Sequence, residues 1–160
     1  MQRNSFGQGF FGTRINEMKI PNTILVILDR LHRSGFQAYI VGGAVRDTCL
    51  GRTPADWDVA TSASFEEITD LFQDMRYFTL KHETVTIVDK ERHFEVTPFR
   101  GPQHRPKTII SDLGRRDFTI NAMAYDATDK EAPADMISSV TTSPTSAPAA
   151  SRIFRFTLSQ

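Results

Sequence analysis

A single cysteine in 160 residues, Cys49, excludes an internal disulfide and a metal centre built on several thiolates. So little cysteine fits a reducing compartment, and a cytoplasmic protein is expected. An excess of charge of either sign is also missing, since 19 Lys and Arg balance 19 Asp and Glu. No bulk positive field therefore gathers nucleic acid, and a polyanion has to bind through a local basic cluster. Nor does any apolar run approach the roughly 20 residues of a membrane span, so no membrane partner is expected. Met1 to Asn16 lacks acidic side chains and carries Arg3 and Arg14, as organellar transit segments do. Its brevity and its Gly and Phe content argue against that reading, and Met18, which opens the first patterned segment, is an alternative start of translation.

With 39% hydrophobic and 24% charged residues, the chain can bury one core of ordinary size, and one folded domain is expected. Asn22 is placed to cap a helix whose Ile24, Ile27, Leu28 and Leu31 share one face, with Gly35 to end it. Phe36 to Val41 reads as a buried strand. Gly42 and Gly43 interrupt it, a short helix from Ala44 to Leu50 follows, and Gly51 ends that helix before the strand carrying DWDVAT, Asp56 to Thr61. Ser64 with Glu67 predicts a capping box for a helix with Phe65, Ile68, Leu71 and Phe72 on its apolar face. Tyr77–Leu80, Thr84–Val88 and His93–Phe99 read as strands, the last two joined by the turn Asp89-Lys90-Glu91-Arg92. The fold class is mixed α/β (α+β), a small mixed sheet flanked by helices, spanning residues 18–126. Ala, Pro, Ser and Thr fill most of Ala132 to Ser151, so residues 127–160 are expected to be a low-complexity, disordered tail.

Three stretches can carry chemistry. In a strand, Asp56 and Asp58 leave on the same face, about 6.5 to 7 Å apart, while Trp57 and Val59 point the other way. Two carboxylates so placed repel unless a cation sits between them. Mg²⁺ takes one or two carboxylates plus phosphate oxygens, and Glu95, mid-strand between Phe94 and Val96, is a candidate third ligand. The other reading is a solvated loop after Pro54 with Glu95 facing water, and for an isolated D-x-D that reading is the stronger. In VGGAVRD, Val41 to Asp47, two glycines let a backbone approach a ligand, and the following helix start suits a triphosphate with Arg46 nearby. Equally, the glycines make only a tight turn and Arg46 pairs with Asp47 or another surface acid. In LGRRDFTINAMAYD, Arg115, Arg116 and Asp117 offer donors for phosphate and an acceptor for a sugar hydroxyl, or else a surface ion-pair cluster at a helix end.

Together, AYIVGGAVRDTCLGRTPADWDVATSA, FEVTPFR and GRRDFTINAMAYD, in that order, closely resemble the head domain of the bacterial-type (class II) CCA-adding tRNA nucleotidyltransferases and poly(A) polymerases. That family lies within the polymerase-beta-like nucleotidyltransferase superfamily. The resemblance covers about Ile20 to Asp126. It implies Mg²⁺ as cofactor, bound by Asp56 and Asp58, with Glu95 at the third-carboxylate position. It implies triphosphate binding by Gly42, Gly43 and Arg46. Nucleotide contact, including the ribose, falls to Arg115, Arg116 and Asp117, with Asn121 ordering that motif. The reaction implied is template-independent transfer of a nucleoside monophosphate from ATP or CTP to the 3′-hydroxyl of a tRNA or another RNA, with two metal ions and pyrophosphate leaving.

Departures from the pattern set further expectations. Glu83 in KHETVTI stands where the family usually has glycine. The stretch between Arg100 and Leu113 is several residues shorter than usual. After the head, where the family continues into neck, body and tail domains that read the base and hold tRNA, this chain enters the Ala/Pro/Ser/Thr tract. Two main alternatives follow: a nucleotidyltransferase head, either an enzyme fragment or a subunit completed by a partner chain supplying neck and body, or a catalytically silent remnant that only binds Mg²⁺ and nucleotide. A small nucleotidyltransferase that modifies a protein or another RNA is a third.

Overall fold

The computed structural model describes residues 18–81, 83–103, 106–116 and 122–127. The expectations for the tail, for the first 17 residues, and for Asp117 and Asn121 lie outside the described residues.

Helix α1, Asn22–Arg33, buries Ile24, Ile27, Leu28 and Leu31, the four residues whose spacing predicts it. Its start differs from expectation. Asn22 is the first helical residue and not the cap; Pro21 is the N-cap, and no side chain caps the helix. The extended ψ of Pro21 turns its carbonyl into the helix, where it accepts from the Leu25 N–H. At the other end, Gly35 takes φ +87 and Phe36 N–H returns to Leu31 O. That stop, which needs a left-handed residue, consumes Phe36, so strand β1 is Ala38–Val41 and shorter than predicted.

Helix α2 is Gly43–Cys49, and strand β2 is Trp57–Thr61, with Asp56 just ahead of it. Helix α3, Phe65–Leu71, starts with both halves of the Ser64–Glu67 capping box in place. Strands β3 (Tyr77–Leu80), β4 (Thr84–Asp89) and β5 (Arg92–Pro98) follow. Asp89 pairs with Arg92, so the hairpin turn is the two residues Lys90 and Glu91, and Lys90 adopts φ +56 to close it. Two elements escape prediction. Helix α4, Ile109–Leu113, is capped by Thr108 with Ser111 in place of the usual Glu or Gln, and strand β6, Ala124–Tyr125, is too short to show a period.

The six strands form one mixed sheet in the order β3-β4-β5-β2-β1-β6. All neighbours are antiparallel except β2 and β5, which run parallel with Trp57 opposite Phe94, Asp58 opposite Glu95 and Val59 opposite Val96. One face carries Ile40, Trp57, Val59, Val85, Ile87, Phe94 and Val96 into the main core against α1, α2 and α3. Each such aliphatic side chain, fully buried, contributes roughly 1.5 to 3 kcal/mol. The opposite face is half covered: Val41, Ala60, Phe99, Leu113, Ala122 and Ala124 form a small second cluster. Because side chains alternate, Asp58 lies on this second face, between the inward Trp57 and Val59.

Candidate active site

Where β1 ends, Gly42 turns the chain with φ +72 and ψ −133 and becomes the N-cap of α2. A side chain is strained in that backbone conformation. A Cβ there would also stand 3.4 Å from Arg116 Nη1 and 3.5 Å from Asp58 Oδ2. The glycine turn, the β2 carboxylate and the guanidinium thus meet at one point. Gly42 N–H is taken by Met123 O, 3.2 Å away, which ties the turn to the segment leading into β6.

Asp58 is half-buried, opposite Val41 on one side and Glu95 on the other. Burial pushes its carboxyl from the ordinary 3.8 up to about 6; the charges of Glu95 and Asp56 add to the rise, while Arg116 and Arg100 oppose it. Glu95 is exposed and also pairs with Thr86 of β4, so its charge lies on the polar face while Phe94 and Val96 fill the core behind it. Asp56 is exposed at the entrance to β2. The chain therefore brings two carboxylates into register and sets a third beside them. Among the described residues no three His, Cys, Asp or Glu side chains are grouped so as to hold a metal ion by themselves. Mg²⁺ does not demand such a cage, since it keeps waters and takes oxygens from a substrate phosphate.

The arginines divide. Arg46 donates from Nε to Asp47 Oδ1 at 2.8 Å, as its ion-pair alternative anticipates, and Asp47 raises its pKa; its Nη2 would lie 3.5 Å from a Cβ on Gly43. Arg116 is aimed by a residue the sequence reading passed over. Asp112 is only 1% exposed, and its Oδ2 accepts from Arg116 Nε at 3.2 Å and Nη2 at 3.0 Å. Its Oδ1 accepts from the backbone N–H of Arg100 at 2.9 Å. The available signal was the i,i+4 spacing of Asp112 and Arg116. Arg115, next in sequence to Arg116, is exposed and lines a separate cleft of about 350 Å³ with Glu83, Thr97, Phe99, Arg100 and Lys107. No helix among the described residues is long and apolar enough to cross a membrane.

Chemically, the point where Gly42, Asp58 and Arg116 meet can hold an anionic group against a backbone turn, with carboxylates beside it for a hard cation. Residues 38–140 match the family described as the poly A polymerase head domain. A CCA-adding enzyme of Listeria monocytogenes is 42% identical over 113 residues, which cover 64% of this chain and 29% of that protein. The CCA-adding enzyme of Geobacillus kaustophilus is 43% identical over 121 residues, 68% of this chain and 30% of that protein. Among solved structures, the Bacillus stearothermophilus CCA-adding enzyme in complex with CTP matches with a TM-score of 0.58 at 41% identity, over 66% of this chain and 27% of that one. A tRNA nucleotidyltransferase complexed with a primer tRNA and an incoming ATP analog matches with a TM-score of 0.53 at 30% identity, over 62% of this chain and 30% of that one. The chain spans about 30% of the length of the curated relatives it matches.

Proposed function

The chain belongs to the poly A polymerase head domain family, and we propose from that premise that it is the catalytic head of an RNA nucleotidyltransferase acting on tRNA 3′ ends. It moves a nucleoside monophosphate from ATP or CTP to a 3′-hydroxyl. In that reaction the hydroxyl oxygen bonds to the α-phosphorus, the bond from that phosphorus to the oxygen bridging to the β-phosphate breaks, and pyrophosphate leaves. The observation that carries the reading is the meeting of Gly42 with Asp58 Oδ2 and Arg116 Nη1, within 3.5 Å of where a Cβ would stand.

Each residue has a part that follows from its surroundings. Gly42 and Gly43 leave the backbone bare, so a triphosphate can lie against it with Arg46 alongside. Arg116, held by buried Asp112, keeps a fixed positive charge at the turn. Asp117 and Asn121, which lie outside the described residues, take their parts from the family resemblance alone: Asp117 would accept from the ribose hydroxyl and Asn121 would order its motif. Asp56, Asp58 and Glu95 would hold Mg²⁺. The donor set suits that ion because it is all hard oxygen, and because burial first, then the charges of Glu95 and Asp56, push the Asp58 carboxyl up to about 6, an opposition to its ionised form that a cation relieves. When bound, the metal supplies charge neutralisation on the phosphates and activation of the hydroxyl.

Calorimetric titration with ATP, with and without Mg²⁺, tests the assignment. Affinity should depend on Mg²⁺, and Asp58→Asn should weaken the metal-dependent part at least about tenfold. Equal affinity in both conditions, or an unaffected variant, would remove the metal site. Metal-dependent binding with no transfer, even when neck and body domains are supplied in trans, would identify the silent-remnant alternative.

A further inference from the structure

We propose that the cleft beside the start of β4 and the end of β5 binds a phosphodiester of the acceptor RNA, with Arg100, Lys107 and Arg115 as its cations and Glu83 as a built-in competitor. The inference rests on the nucleotidyl-transfer reading and assigns Arg115 to the RNA and not to the nucleotide.

Position supplies the first argument. Thr97, in the cleft wall, follows Glu95 along β5 on the same face, with Phe99 just past the end of the strand, and two strand residues are about 7 Å. The cleft is therefore a nucleotide's reach from the carboxylates, on the β5 side of β2. The glycine turn and Arg116 lie on the other side, towards β1, since the strand order there is β5-β2-β1. Transfer needs two anionic substrates at one carboxylate group, and this chain has two separate positive regions flanking it. If the triphosphate takes the glycine turn, the β5 side is left for the RNA backbone.

Charge and rigidity supply the second. Three cations and one carboxylate line the cleft, and among the described residues none of the four joins an ion pair. The wall is built and not a loose loop. A Cβ on Gly101 would lie 3.1 Å from Lys107 Cγ and 2.9 Å from Ser111 Oγ, so the stem of Lys107 is seated on that glycine. Ser111 Oγ donates to Arg100 O at 2.9 Å, and Arg100 N–H donates to Asp112. Glu83 enters the cleft from a left-handed backbone, φ +61, which places an anion among the cations at a conformational cost.

Fluorescence anisotropy with a labelled single-stranded RNA ending in a 3′-deoxynucleotide, titrated with the full chain over a salt series, tests the proposal. Lys107→Gln and Arg115→Gln should each weaken RNA binding several-fold and reduce the salt slope by roughly 0.7 per lost contact. Glu83→Gln, which keeps size and backbone, should tighten it. Mg–ATP affinity of the same variants, by calorimetry, separates RNA phosphate from the triphosphate tail; a parallel loss of Mg–ATP binding overturns the proposal. Unchanged RNA affinity in both cation variants, with Mg–ATP binding intact, overturns the inference alone. Failure of the parent chain to bind Mg–ATP overturns the transfer reading and the inference with it.

Discussion

Asp58 is the residue on which charge weighs most. Its carboxyl holds a proton in the folded state up to about pH 6 and, unfolded, only to the ordinary 3.8. Between those values the folded state binds more protons, so this group's contribution to stability falls as pH rises from about 4 to about 6 and stays low above that. With divalent cations chelated, denaturant unfolding of the parent chain should show that decline, on the order of 2 kcal/mol. Asp58→Asn should flatten the profile and be the more stable protein at neutral pH. Asp112 presents the opposite case. Its two oxygens serve Arg116 and the Arg100 N–H while it is nearly inaccessible, so Asp112→Ala leaves a partly buried guanidinium and a backbone donor without their acceptor. The expected loss is about 2 to 4 kcal/mol by denaturant unfolding. Mg–ATP affinity should fall as well, because Arg116 is no longer aimed at the turn.

Among the positive-φ positions where elements meet, Gly42 and Glu83 predict opposite signs. At Gly42 the β1–α2 turn combines φ +72 with contacts at 3.4 and 3.5 Å to where a Cβ would stand. Gly42→Ala should therefore destabilise the fold by about 1 to 2 kcal/mol and weaken Mg–ATP binding. At the start of β4, Glu83 already bears a side chain at φ +61. Glu83→Gly removes that strain and, after the entropy cost of a freer unfolded chain, should stabilise by up to about 1 kcal/mol, read as a rise in Tm. The hairpin next to it keeps a similar feature in Lys90, whose φ of +56 closes a two-residue turn. Glycine is the residue these turns prefer; of the three, only Gly42 sits where a side chain would also touch Asp58 and Arg116.

For the whole molecule, the consequence of scale is in base choice. Selecting cytosine and adenine needs directed donors and acceptors at the base edge, whereas phosphate contacts are blind to base identity. The head motifs described supply charges, a bare turn and carboxylates. Given Mg²⁺, the four nucleoside triphosphates and a tRNA lacking its 3′ end, the 160-residue chain alone should show weak or no transfer, and any transfer should have little base preference. Ordered addition of two cytidines and one adenosine by this chain, followed on a denaturing gel, would place base selection in the head. A formal charge of zero fits weak RNA binding that depends on local clefts.

What the sequence determined by itself is local. The apolar stripe of α1, the Gly35 stop, the Ser64–Glu67 capping box and the tight β4–β5 hairpin are legible because each depends on residues within a few positions of one another. Alternation in DWDVAT likewise puts Trp57 and Val59 on one face and Asp58 on the other. The start of α1 departs from its sequence pattern because Asn22 is a good cap by type, while Pro21 already turns its carbonyl inward. Tertiary structure alone decided the rest. The parallel pairing that sets Asp58 opposite Glu95 is chosen by burying Val59 against Val96 and Trp57 against Phe94, contacts between distant segments. Burial of Asp112 and the divergence of Arg115 from Arg116 follow from how α4 packs Leu113 against Phe99 and Ala60. Neighbouring side chains at a helix end point in different directions, and only the packed helix says which of two arginines reaches the carboxylates.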